Sequence, residues 1–159
     1  MKLQVNNYIY NKFHERGIKA FENKVAKILR SKGLTQGTFI CLNAYMVRGN
    51  GYGSYFKRIE FSFGGTASQT YTEHTNDSLL WDNWDNPTAK EKRNLFLAVL
   101  ENAEFDLFDC WNMLPKKVIQ AIDTFNTDEN FTVFLEQINS LGYTCEIGSD
   151  GVPHHLKKL

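Results

Sequence analysis

The residues best suited to chemistry in this 159-residue sequence are carboxylates, crowded in two places: Asp77, Asp82 and Asp85, then Glu104, Asp106 and Asp109. Paired carboxylates can run general acid–base chemistry or hold a divalent cation. Neither group lies on a strand that would fix its geometry, so solvated acidic loops are the plainer reading. On that reading Asp82→Asn or Asp106→Asn leaves the fold intact. A small hydrolase using these clusters is the enzymatic alternative. His74 lies three residues before Asp77, and His154-His155 stands near the end, but no H-x-x-x-H or H-E-x-x-H spacing occurs. Cys41, Cys110 and Cys145 are widely separated, with no C-x-x-C. Cys41 and Cys145 sit in apolar or β-rich stretches and read as small buried hydrophobes. No G-x-S-x-G occurs, and Asn50-Gly51-Tyr52-Gly53 is not followed by Lys and a helix. Neither a metal nor a cofactor is expected, and the balance of signals leans away from an enzyme.

Two patterns point to binding. Leu79-Leu80-Trp81-Asp82-Asn83-Trp84-Asp85 places two indoles among acids. Such rings are costly to expose, and Trp is favoured where a protein interface buries an apolar anchor inside a polar rim. Trp81, Asp82, Trp84 and Asp85 are therefore the candidate protein-binding residues, and an acidic–aromatic surface suits a basic partner. The plain alternative is that both indoles cap the core. The second pattern is basic. Arg16, Lys19, Lys27 and Arg30, with Asn23 between them, recur at steps of three or four, and Arg48, Tyr52, Lys57 and Arg58 combine cations with π-faces around a glycine-rich turn. Single-stranded nucleic acid is often held this way. The RNA-recognition strand signature is met only at Gly51-Tyr52-Gly53 and broken at Asn50, Ser54 and Lys57.

The elements that must carry these residues follow from periodicity. Ile18, Phe21, Val25, Ile28 and Leu29 make one apolar helical face over residues 17–32, with Gly33 as its stop. The cations above form the opposite stripe. Residues 38–47 are nearly continuous in apolar character, which predicts a central strand; residues 55–63 alternate, and 67–74 are rich in Thr and Tyr. An antiparallel meander over about 38–74 follows. A helix begins near Pro87, capped either by Asn86 or by Thr88 with Glu91, and its Leu95–Leu100 run predicts burial on all sides. Further helices open at Pro115 (Val118, Ile119, Ile122 and Phe125 inward) and at Thr127-Asp128-Glu129. A hairpin at Tyr143–Ile147 and Val152 onward closes the chain, with Pro153 marking an edge. The class is α+β, a meander and a C-terminal hairpin packed with about four helices, in one domain over 1–159.

Composition sets the frame. The chain is 42% hydrophobic, 14% aromatic and 23% charged, which excludes a disordered tail. No apolar run nears the roughly 20 residues of a membrane span, and Met1-Lys2-Leu3-Gln4 does not open a signal peptide. A cytoplasmic protein without membrane contact is expected. Net charge is zero, yet residues 1–60 hold 11 Lys/Arg against 3 Glu while residues 61–159 hold 7 against 15 Asp/Glu. If the halves are separate in space, the surface is bipolar. Asn is abundant at 15, a bias common in phage and plasmid chains. The function expected is a non-enzymatic binding protein that inhibits or regulates a nucleic-acid-processing complex, of the anti-CRISPR or anti-restriction kind. A module binding single-stranded nucleic acid directly is the alternative.

Overall fold

The computed structural model describes residues 2–9, 16–48, 55–75, 87–125 and 131–159, with Arg16, Arg48, His74 and Thr75 described by backbone alone. The fold is α+β. In chain order it runs β1 (Leu3–Asn7), α1 (Arg16–Ser31), β2 (Gly37–Arg48), β3 (Tyr55–Phe63), β4 (Gln69–Thr75), α2 (Ala89–Asn102), a 3-10 helix (Leu107–Met113), α3 (Lys116–Thr124), α4 (Phe131–Ser140), β5 (Tyr143–Ile147) and β6 (Pro153–Lys158). Strands β1 to β4 form one sheet in sequence order, and β5 pairs with β6. The expected meander is β2–β3–β4, antiparallel throughout. Strand β1 was not expected, because Leu3 and Val5 are its only apolar residues; it joins β2, which is thereby interior, and makes the sheet mixed. The chain divides into two compact units: Gln4–Ile28 with Thr38–Ala103, and Met1–Leu3 with Leu29–Gly37 and Glu104–Leu159.

The first unit is built on phenylalanines. Phe39, Phe61 and Phe63 project from one sheet face, with ring centroids 5.3–5.8 Å apart. Phe96 of α2 meets Phe39 edge-on at 6.3 Å, and Phe21 of α1 meets Phe96 at 5.8 Å. Each such pair adds about 0.5–1.5 kcal/mol beyond the area it buries. The nearly continuous apolar character of β2 has a local cause. A register shift between Cys41 and Asn43 resets the alternation, so Phe39 and Cys41 before it and Ala44 and Met46 after it are all buried. At α2, Thr88 caps: its Oγ accepts from the Glu91 N–H at 3.1 Å, and the Thr88 N–H donates to Glu91 Oε1 at 3.1 Å. The Leu95–Leu100 run is not buried on all sides. Leu95, Phe96, Val99 and Leu100 face inward, Leu97 is half-buried and Ala98 is exposed, because α2 packs by one face only.

In the second unit the chain leaves α1 through Gly33 at φ +98°, as its C′ position requires. A side chain there would meet Tyr143 Cε1 at 2.7 Å, and the Tyr143 hydroxyl donates to the Gly33 carbonyl at 2.6 Å. Helix α3 follows Pro115, but its most buried residues are Val118 and Ala121, with Ile119, Ile122 and Phe125 half-buried. Phe125 still packs on Phe134 of α4, centroids 4.5 Å apart. The expected acidic start of α4, Thr127 to Glu129, lies outside the described residues.

Candidate functional site

The segment between α2 and α3 was expected to be an irregular acidic connection. It is a pair of short 3-10 turns joined by a kink at Cys110, whose backbone is not helical (φ −131°, ψ 39°), and Asp106 caps the first. Asp106 Oδ1 accepts from the Phe108 N–H at 3.1 Å. The same carboxylate accepts from two backbone groups of β6, His155 N–H at 3.0 Å and Leu156 N–H at 3.0 Å. These two amides belong to a bulge. Thr144 pairs with Lys157 and Glu146 with His154, so β6 carries one extra residue opposite Cys145. A bulge leaves ladder groups unpaired, and here a charged acceptor satisfies them. His155 takes φ +56°, the left-handed conformation usually given to glycine. Asp106 is thus a structural clamp, which overturns the expectation that Asp106→Asn is harmless. It also removes one carboxylate from the Glu104, Asp106 and Asp109 group as a free acid or base.

The clamp fixes the start of a kinked segment whose other end is also held. The Met113 carbonyl accepts from the Thr35 N–H at 2.9 Å and the Gln36 N–H at 3.3 Å, and Gln36 Nε2 donates to the Leu114 carbonyl at 2.7 Å. Leu107, Cys110 and Met113 are the segment's buried residues. Trp111 is 49% exposed. Glu104, Asp109 and Asn112 around it in sequence are exposed as well. An exposed indole on a segment tied at both ends, with acids near it in sequence, matches in type the acidic–aromatic pattern read at Trp81 to Asp85. Sequence reasoning missed Trp111, because three buried positions spread across a kink make no recognisable period.

Of the residues singled out from sequence, Trp81, Asp82, Trp84, Asp85 and Tyr52 lie outside the described residues, as do the side chains of Arg16 and Arg48. Lys19, Lys27 and Arg30 are exposed on α1. Lys57 and Arg58 point to opposite faces of β3. Lys57 shares the face of Ile59 and stands opposite Glu73. Arg58 lies on the other face, its Nε donating to Thr72 Oγ1 at 3.1 Å and its guanidinium 5.9 Å from the centre of the Tyr45 ring. The Tyr45 hydroxyl donates to Glu60 at 2.9 Å. Phe21 on the opposite side of α1 reaches the aromatic core, so Lys19 and Lys27 face away from the sheet. They and Arg58 lie on opposite sides of this unit and form no common surface.

The cysteines are all free and buried. Burial pushes the Cys110 thiol up to about 12 and the Cys145 thiol up to about 11, and raises Cys41 further. None is a thiolate near neutrality. His154 Nε2 lies 3.1 Å from Asp150 Oδ2 within the β5–β6 turn. The Asp150 carboxyl is held below its usual range by the Val152 N–H first and by His154 second. No three metal-ligating side chains converge among the described residues. No helix among them is long and apolar enough to cross a membrane. Comparison with family models, curated proteins and solved structures finds no match.

Proposed function

We propose that this chain is a binding protein that acts through protein–protein contact, and that its partner belongs to a nucleic-acid-processing complex that it inhibits or regulates. The observation that carries this reading is the exposure of Trp111 on a kinked segment hydrogen-bonded to its neighbours at both ends. A preplaced aromatic anchor loses little conformational freedom on binding. Truncating such an anchor in a desolvated interface costs about 2 kcal/mol or more, roughly thirtyfold in affinity. Glu104 and Asp109, exposed and near it in sequence, favour a basic partner surface, such as the groove of a nucleic-acid-binding protein. The Trp81 to Asp85 segment repeats the chemistry in sequence, and an anti-defence protein of a phage or plasmid is one concrete form of the reading. The test is affinity capture with the wild type and Trp111→Ala. The wild type should retain a nucleic-acid-handling protein that the variant releases at an unchanged melting temperature. Equal capture by both, with the partner's activity unaffected, contradicts the proposal.

Direct binding of single-stranded nucleic acid is the second reading, favoured by the exposed Lys19, Lys27 and Arg30 stripe on α1. Three phosphate contacts on the helix give a log–log salt slope of about −2, at about −0.7 per contact. Titration with labelled oligonucleotides from about 50 mM salt upward measures it. Absence of binding at the low end removes this reading.

A further inference from the structure

The solvent face of α1 carries one sign of charge. Lys19, Lys24, Lys27 and Arg30 are exposed, and the exposed residues among and beside them are Ala20, Asn23 and Ser31. At about 100° per residue these cations fall within an arc of about 140°, and at about 1.5 Å per residue they span about 16 Å of helix. None of their side chains has a hydrogen-bond or ion-pair partner among the described residues. Glu22, the one acid within Arg16–Ser31, is half-buried. Burial first and Glu22 second raise the Cys41 thiol, which places Glu22 on the sheet side of the helix. Like charges three or four positions apart on a helix repel, and nothing on the exposed face of α1 relieves them. A polyanion laid along the row does.

We infer that this face binds the phosphate backbone of a nucleic-acid duplex. Three other occupants fit it worse. Protein interfaces are depleted in Lys, Ala and Ser, and this face offers no apolar anchor. A helix on an anionic membrane buries its apolar side at the headgroup boundary, but the apolar side of α1, with Phe21, Val25 and Leu29, is already buried in the fold. Single strands are held by cations interleaved with aromatic rings on which bases stack, and no described residue of α1 exposes such a ring. A duplex needs none. It presents one charge per about 1.7 Å of its axis, in a fixed array that a rigid helical row of cations can meet. This site rests on the second reading above for its ligand class, narrows it to the duplex, and is independent of Trp111.

The test is fluorescence anisotropy of a labelled duplex, and of one of its strands alone, titrated with the full chain from about 50 to about 200 mM salt. The duplex should bind more tightly than the strand throughout, with a log–log slope of about −3 to −4, at about −0.9 per contact. Lys24→Gln and Lys27→Gln should each reduce that slope by about 1. Gln matches Lys in helix propensity, so both variants keep the fold. Lys116, exposed at the start of α3, is the control, and Lys116→Gln should leave the slope unchanged. A strand that binds as tightly as the duplex overturns the duplex site and leaves the second reading standing, whereas no binding of either at about 50 mM removes both. Unaltered slopes for Lys24→Gln and Lys27→Gln overturn the site, as does a slope lowered equally by Lys116→Gln. Displacement of the duplex by polyglutamate or by phosphatidylserine vesicles as readily as by unlabelled duplex overturns it too, because the face is then a sink for any negative charge.

Discussion

Asp106 shows how a residue type can suggest one chemistry and a structure assign another. Read as sequence, it is one of three nearby acids. In the fold its two oxygens accept from three backbone N–H groups on two elements. Nothing in residues 104–109 announces that, because two of the donors lie about fifty positions later. Hydrogen bonds to a charged acceptor contribute about 1.5–3 kcal/mol each when buried, and less at this half-exposed site. Asp106→Ala should therefore lower stability by about 2–4 kcal/mol, and Asp106→Asn by less, since the amide keeps one accepting oxygen. His155→Gly should act in the opposite sense, relieving a left-handed conformation that costs a non-glycine residue about 1–2 kcal/mol, less the entropic cost of glycine. Urea unfolding of the three variants checks the pattern. An unchanged midpoint for Asp106→Ala would return that carboxylate to the solvated acids.

At the scale of elements, what could be read in advance was what had a strong period. Helix α1, the alternation of β3 and the Gly33 stop all follow from residue spacing. The Thr88–Glu91 pair announced its helix, and the structure decides between the two caps that the sequence allowed. The 3-10 segment was illegible because its three buried positions are spread across a kink, and β1 because two apolar residues make no pattern. The contact between Gly33 and Tyr143 could not be read either, since it joins residues 110 positions apart. It has a consequence for pH. Burial raises the Tyr143 hydroxyl above its usual value near 10. The neutral, donating form is favoured in the fold, so its contribution is complete below pH 10. It is lost as pH rises past that point, where the unfolded chain releases the proton first. Tyr143→Phe should cost about 1 kcal/mol at neutral pH by leaving the Gly33 carbonyl without this donor. The gap between the two proteins should close above pH 10, as denaturation at a series of pH values would show; a gap that is constant with pH contradicts the assignment.

For the whole molecule, the contrast between a basic first part and an acidic second part does not survive folding into units. The unit of Gln4–Ile28 and Thr38–Ala103 holds 11 Lys/Arg and 9 Asp/Glu, and the other holds 7 and 9. Each unit draws from both parts of the sequence. A bipolar field therefore lends the functional reading little, and the weight moves to local surfaces. Of the residues proposed from sequence, the exposed cations of α1 stand where periodicity put them. Trp111, which supports the protein-contact reading, was passed over because its segment had no recognisable period. The most direct measurement of that reading is hydrogen exchange of the chain alone and in the captured complex. The account predicts slowed exchange across Leu107–Met113 in the complex, with the exposed face of α1 unchanged. Protection confined to α1, with Leu107–Met113 exchanging as it does in the free chain, would contradict it.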